Sequence, residues 1–313
     1  MNCKVRAFSG AVQQAPSSIC YRGRFAPSPT GHLHLGSLIA ALGSYLLARQ
    51  AGGQWFVRIE DIDPPRIVPG SVSHILHSLE RHGLLWDGDI LYQSKRAETY
   101  EAALERLKDL DLLYSCSCSR SEIAQIARPG KLGFIYPGLC RNGPLNPQRN
   151  LALRVKVPDE SIMFIDRLQG RYESNLQNDS GDFILRRSDG LYSYQLAVVL
   201  DDAFQGITEV VRGADLLDST PRQIHLQRVL NFPTPDYVHL PILLDVNENK
   251  LSKSISSASL EGRSPSENLV QALHALGHAV PNELRGAGPE ELLAWAKQSF
   301  RLENVPPVLS RKI

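Results

Sequence analysis

The 313-residue sequence has no apolar run approaching the roughly 18 to 20 residues that cross a bilayer, which argues against a helical membrane protein. It has no charge of one dominant sign either. Lys and Arg total 34 against 33 Asp and Glu, a formal net charge of +1. Whole-molecule electrostatics therefore select no partner, and any nucleic-acid surface must be a local basic patch. Cysteine is sparse and odd in number: Cys3, Cys20, Cys116, Cys118 and Cys140. Met1 to Cys20 lacks the apolar stretch of about 7 to 15 residues that marks a secretory leader. A secreted disulfide framework is thus not expected. The first 20 residues read as a short extension, and the expected location is the cytoplasm. Internal repeats and low-complexity tracts are missing. So is any Ser-His-Asp or Cys-His arrangement that would signal a covalent enzyme intermediate.

The apolar share of 42% and charged share of 21% are those of a globular chain with a sizeable core. Organised sequence starts near Tyr21. Small and apolar residues at helical spacing over Ser37–Gln50 predict a helix ended by Gly52-Gly53. Trp55–Ile59 predicts a strand that delivers Glu60, Asp61 and Asp63 ahead of Pro64-Pro65. Helices are predicted at about Val72–His82 and Arg96–Leu110, followed by a strand at Leu112–Tyr114. This alternation predicts an α/β fold with a parallel sheet and crossover helices. Between Cys116 and Gly190 the helical period fades, Gly and Pro become frequent, and short β-like runs appear, as in an inserted module. Leu191–Val199 reads as a buried strand or helix, Pro221–Leu230 as a helix and His239–Leu244 as a strand before a polar loop. Ser264-Pro265-Ser266-Glu267 is a capping box with Pro at the first helical position, and Pro289-Glu290-Glu291 opens a further helix.

Two segments carry phosphate chemistry. In Arg24–Gly36 (RFAPSPTGHLHLG), prolines stiffen a loop and Gly36 opens a helix to close approach by a ligand. The helix N-terminus offers free N–H groups to phosphate, and His32 and His34 can donate to phosphoryl oxygens. In Lys250-Leu251-Ser252-Lys253-Ser254, two lysines flanking a serine can stabilise charge on a transferring phosphoryl group. Taken singly, the first can be an ordinary proline-rich turn and the second a solvated basic loop.

Together they resemble the paired signatures of the class I aminoacyl-tRNA synthetases. His34-Leu35-Gly36-Ser37 resembles the HIGH motif, with Ser in place of the last His, and Lys250–Ser254 resembles the KMSKS loop. Arg24–Gly31, Arg58–Asp63 (RIEDID), Tyr194–Asp202 (YQLAVVLDD), Val211–Asp215 (VRGAD) and Ser219–Gln223 resemble catalytic segments of the glutamyl branch. The resemblance spans roughly Tyr21 to Ser254. It implies that Arg24, Glu60, Tyr194 and Arg212 line a glutamate pocket with the Phe25, Ala26, Pro27 and Ser28 backbone. The chemistry is apt: arginine forks grip carboxylates, Glu60 can accept from an ammonium and Tyr194 can donate a hydroxyl. Which arginine takes which carboxylate is open. ATP, with Mg²⁺, is expected at His32, His34, Gly36, Lys250, Ser252 and Lys253, with His32, His34 and Lys253 catalytic.

Cys116-x-Cys118 and Tyr136-x₃-Cys140 form a third constellation. Three thiolates suit one zinc ion, which takes four ligands. No histidine lies between Gly83 and Gly190, leaving Tyr136 to complete the set. Reduced structural cysteines are the alternative reading. A Cys-x-Cys…Tyr-x₃-Cys site is similar to that of the glutamyl-queuosine tRNA(Asp) synthetases. Only about 60 residues follow Ser254, too few for a large anticodon-reading domain, and this is expected of the same family. The resemblance implies a Rossmann-like class I synthetase catalytic domain with a zinc-containing insertion and a short helical C-terminal region. Its expected divisions are an extension over 1–20, a first catalytic half over 21–112, an insertion over 113–189, a second half over 190–256 and a helical region over 257–313. It further implies tRNA-independent activation of L-glutamate and transfer to queuosine at the wobble position of tRNA(Asp), by a monomer that binds no membrane. Charging of a tRNA 3′ end, a silent RNA- or amino-acid-binding paralogue, and another adenylate-forming nucleotidyltransferase are the rival readings.

Overall fold

The computed structural model describes residues 20–131, 133–244 and 260–312. Strand β1 (Arg22–Phe25) leads through the signature loop into helix α1 (Leu35–Gln50), which begins two residues earlier than its apolar period suggests because His34 caps it. The chain then forms β2 (Gln54–Ile59), α2 (Ser71–Arg81), β3 (Leu91–Tyr92) and α3 (Ala97–Asp109). β1, β2 and β3 pair in parallel, as alternating strands and helices require.

The next stretch is β4 (Leu113–Cys116), α4 (Arg120–Ile126), the short pair β5 (Pro129–Gly130) and β6 (Gly133–Phe134), and β7 (Ala152–Val155). A hairpin of β8 (Ser161–Asp166) and β9 (Gly170–Asn175) follows, then α5 (Leu176–Asp179) and β10 (Phe183–Arg186). β4, β7 and β10 form an antiparallel sheet. β8 instead pairs in parallel with β12 (Asp236–Leu240), which itself pairs with β11 (Glu209–Gly213). Residues from within 113–189 therefore extend the sheet that carries the later catalytic segments. β1 lies beside β11, where the Arg22 N–H donates to Thr208 Oγ1 and the Thr208 N–H donates to Arg22 O, each at 2.9 Å.

The ambiguous Leu191–Val199 run is helical: α6 spans Tyr194–Gln205, capped by the Ser193 hydroxyl and closed by Gly206. Helix α7 (Thr220–Val229) follows β11. The predicted His239–Leu244 strand is two strands, because Pro241 cannot donate to a ladder. β12 ends at Leu240 and β13 (Ile242–Leu244) pairs in parallel with β14 (Ser310–Lys312) at the C-terminal end of the described chain. Helix α8 (Pro265–Ala275) has the expected capping box between Ser264 and Glu267, and α9 is Pro289–Ser299.

One core joins α1 and β2 to both tail helices: Leu38, Leu42, Trp55 and Val57 pack with Leu269, Leu273, Leu292 and Phe300. A second gathers α3, α6, β7 and β8. A third, small one holds Tyr114, Cys116, Ile123, Tyr136 and Cys140. No helix among the described residues is long and apolar enough to cross a membrane.

Candidate active site and cysteine centre

A cleft of about 810 Å³ opens where β1, β2, α1, α6 and β11 converge. Its wall includes Arg24, Phe25, Ala26, Pro27 and Ser28 from the end of β1, Glu60 from the end of β2, Tyr194 from the first turn of α6, and Arg212 from β11. His32, His34, Gly36 and Ser37 line it as well. The described residues of the two predicted sets thus face one volume. Lys250, Ser252 and Lys253 lie outside the described residues.

Charged side chains are packed behind the cleft wall. Asp202, one turn from the end of α6, accepts from Arg24 Nε at 3.0 Å and Arg24 Nη2 at 3.4 Å. It also accepts from Arg58 Nη1 at 2.8 Å. Arg58 is fully buried, gives Gln205 Oε1 a bond of 2.8 Å through the same nitrogen, and sets Nη2 3.6 Å from Glu60 Oε1. Burial works against the Asp202 carboxylate, yet Arg24 and Arg58 hold it below the usual carboxylate range. Glu60 is treated differently by the same surroundings. Burial outweighs the pull of Arg58 and Arg24 and pushes its carboxyl up to about 7. Neighbouring Asp201 belongs to another cluster, held by Gln93, Arg96 and Tyr100, each at 2.8 Å.

Arg212 is aimed by a relay. His239 Nδ1 lies 2.6 Å from Asp166 Oδ2, and its Nε2 lies 3.0 Å from Arg212 Nε. Arg212 Nε can only donate, so His239 carries its proton on Nδ1 and donates it to Asp166. Burial brings the imidazole down to about 4 and keeps it neutral. The other Arg212 nitrogens donate to Tyr194 Oη at 3.2 Å and Thr220 Oγ1 at 2.8 Å. Its guanidinium is fixed before any ligand arrives, which lowers the entropic cost of gripping a carboxylate.

His34 Nδ1 accepts the Ser37 N–H at 3.2 Å and its Nε2 lies 3.0 Å from Ser37 Oγ. The ring folds over the first turn of α1, where a Cβ on residue 36 would come within 3.2 Å of it, so Gly36 makes room for the histidine. His32 is placed differently. It is exposed, pairs with Glu261 and stacks on His74 with ring centroids 4.3 Å apart. It borders the cleft without sharing the inward position of His34.

The cysteine centre is compact. Cys116 Sγ and Cys118 Sγ lie 3.3 and 3.5 Å from Tyr136 Oη, and Cys118 Sγ lies 3.5 Å from Cys140 Sγ. The three sulfurs fall within 4.8 Å of one another. Ligands about 2.0 to 2.3 Å from a tetrahedral zinc stand at comparable separations. Tyr136 Oη also accepts the Cys140 N–H at 3.0 Å. Burial raises the Cys140 thiol, but hydrogen bonds from Tyr136 and the backbone outweigh it and bring the thiol to about 6. Arg154, from β7, donates to Cys116 Sγ at 3.3 Å and lays its guanidinium 3.8 Å from the centre of the Tyr136 ring. Such a cation offsets the negative charge of a thiolate set. Gly181 closes the site from behind: its φ is +64°, and a Cβ there would meet Tyr136 O at 2.3 Å. Asp182 fastens the module, accepting from Tyr114 Oη at 2.6 Å and Arg141 Nη2 at 2.6 Å.

Sequence reasoning passed over Arg58, Asp202, Asp166, His239 and Arg154. Arg58 and Asp202 stand inside segments singled out for their motifs, and a charge amid apolar strand or helix residues was the available signal. Asp166 and His239 lie 73 positions apart in unremarkable strands, with no local signal.

Residues 21–283 match the family of class I tRNA synthetases (E and Q), catalytic domain. The glutamyl-Q tRNA(Asp) synthetase of Thiobacillus denitrificans is 53% identical over 291 residues, covering 92% of this chain and 97% of the relative. That of Dechloromonas aromatica is 52% identical over 288 residues, covering 91% and 96%. The chain belongs to the glutamyl-Q tRNA(Asp) synthetases. Among solved structures, a glutamate tRNA ligase from Elizabethkingia meningosepticum in complex with its amino acid superposes with a TM-score of 0.72 at 25% identity, covering 92% of this chain and 66% of that one. The glutamate-tRNA synthetase of Elizabethkingia anophelis gives 0.74 at 26% identity, covering 94% and 68%. The chain thus spans about two thirds of those ligases and almost the whole of its curated relatives.

Removing the central carboxylate takes the closest counter-charge from two buried guanidinium groups. Asp202→Asn is expected to destabilise the fold by about 3 kcal/mol or more, the scale for breaking a buried ion pair from one side. Denaturant unfolding measures this, and a loss below about 1 kcal/mol would show that Arg24 and Arg58 do not depend on it.

Proposed function

We propose that this chain activates L-glutamate with ATP, without tRNA, and transfers the glutamyl group to queuosine at the wobble position of tRNA(Asp). The observation that carries the reading is a single cleft holding both a phosphate-binding helix start and a cationic pocket, in a member of this family. Two substrates of opposite needs fit it. Arg24 and Arg212 present two guanidinium groups at the cleft wall, with the Arg58–Asp202 pair packed behind them and a carboxyl at Glu60 that is only partly ionised near pH 7. The surplus positive charge suits a dicarboxylate. A charged Glu60 suits the ammonium.

In the first step, a glutamate carboxylate oxygen bonds to the α-phosphorus of ATP and the bond to pyrophosphate breaks. The start of α1 borders the same cleft, and the N–H groups there that His34 does not cap are assigned to phosphoryl oxygens. His34, braced by Ser37, presents its ring there, and Lys253 is assigned to the same charge. Magnesium, carried with ATP, neutralises the departing pyrophosphate. In the second step, a queuosine hydroxyl oxygen attacks the glutamyl carbonyl carbon. An ester forms, the bond to AMP breaks and the hydroxyl proton is lost. We assign the reaction to a monomer in the cytoplasm, where its tRNA substrate is found. Cys116, Cys118, Cys140 and Tyr136 would hold a zinc ion, whose role would be structural, fixing the geometry of the module around β4.

Glutamate-dependent exchange of pyrophosphate into ATP tests the first step. It should proceed with no RNA present, and exchange that appears only on adding tRNA would overturn the reading. The same assay reads the Glu60 carboxyl. An ammonium favours the ionised form, so glutamate binds with loss of a proton below pH 7. The KM for glutamate should climb as pH falls, approaching about tenfold per unit, and should level off above pH 7 to 8. Glu60→Gln should weaken binding and flatten that slope; an unchanged slope would place the titrating group elsewhere.

Tyr136→Phe tests the fourth ligand. Zinc per chain in the purified protein should fall, or exchange with a chelator should quicken about tenfold or more. Undiminished, equally retained zinc would remove Tyr136 from the ligand set.

A further inference from the structure

Apart from the charges behind the cleft wall and the cysteine centre, one other group of metal-binding side chains gathers among the described residues: His32, His74 and Glu261. They come from three separate elements. His32 lies in the loop between β1 and α1, His74 on α2, and Glu261 in the segment entering α8. Their ligand atoms all lie within 4.8 Å of one another. The two imidazole rings stack at 4.3 Å with planes 22° apart, and the Glu261 carboxylate sits on His32 Nδ1.

We propose that these residues form a surface site for a divalent transition cation of the zinc class. Two imidazoles and a carboxylate are a borderline N/O donor set, suited to zinc or nickel and unsuited to magnesium, which prefers oxygen alone. Bonds of about 2.0 to 2.2 Å bring such ligands closer than 4.8 Å to each other, so the side chains must converge. They are able to: the His32 and Glu261 side chains are 45% and 63% exposed, and His74 is exposed too. Exposure also supplies water for the remaining coordination positions. Arg81 and Arg263 line the adjoining cavity of about 70 Å³. Their charge opposes a bare dication and favours one that carries an anion as a further ligand, so this site binds more weakly than the cysteine centre. A bound cation links the signature loop to α2 and to the start of the C-terminal helices, at the rim of the cleft. The proposal stands independently of the acceptor assigned above.

The test is zinc titration of the metal-depleted full-length chain by calorimetry, with nickel-induced shifts in thermal unfolding as a second readout. The wild type should show a binding class weaker than the cysteine centre, and nickel should raise its unfolding temperature. His74→Gln and Glu261→Gln should each weaken that class at least about tenfold and remove the nickel shift, whereas Cys140→Ser should leave both in place. Absence of the weaker class in the wild type would overturn the site, as would an unchanged affinity in both variants. Loss of the tight class alone, in the wild type, would instead count against zinc at the cysteines.

Discussion

Asp202 accepts hydrogen bonds from Arg24 and Arg58 at once, and the cleft is organised around that contact. The partners lie 178 and 144 residues away along the chain. One carboxylate therefore joins β1, β2 and α6, the early and late parts of the catalytic fold. An interaction of this kind adds little net stability compared with an apolar replacement, but it is costly to break from one side. Its value here is positional. It holds Arg24 at the cleft wall, and with Arg58 it creates the mixed field in which Asp202 stays ionised while buried Glu60 is held near neutrality.

The opposite wall follows the same logic with a neutral intermediary. Asp166 orients His239, and His239 accepts from Arg212. Because Asp166 ends β8 and His239 lies on β12, the fixing of Arg212 depends on the hairpin that the middle of the chain contributes to the sheet. The middle segment thus does two jobs. Its hairpin supports the cleft, and its cysteine module, fastened through Asp182 and Arg154, stands beyond it. A fold divided cleanly into catalytic halves and an insertion describes the order of the chain better than it describes these contacts.

Local signals in the sequence were strong where chemistry is local. The turn, cap and first helical turn of the signature loop lie within a dozen residues, and the helical period and capping box foretold α1 and α8. The Cys-x-Cys and Tyr-x₃-Cys spacings foretold a cluster because only α4 and one short hairpin lie between the two pairs. Arg24, Glu60, Tyr194 and Arg212 were legible through their motifs, and the fold brings all four to one cleft. What could not be read was long-range pairing. Nothing near Arg58 announces that its partner is Asp202, and nothing in the His239 strand announces Asp166. The apolar run at Leu191–Val199 also left helix and strand open; burial on all sides erases the periodicity that separates them. His32, expected beside His34 as a phosphate ligand, borders the same cleft but is exposed there and meets Glu261 and His74 at the rim.

The acceptor proposed for the glutamyl group is a modified anticodon base. The direct measurement is transfer of radiolabelled glutamate to tRNA(Asp) prepared with and without queuosine, with tRNA(Glu) as the comparison. Label is expected only on queuosine-containing tRNA(Asp), released by mild alkali as for an ester. Equal labelling of the two tRNA(Asp) preparations, or labelling of tRNA(Glu) at its 3′ end, would contradict it.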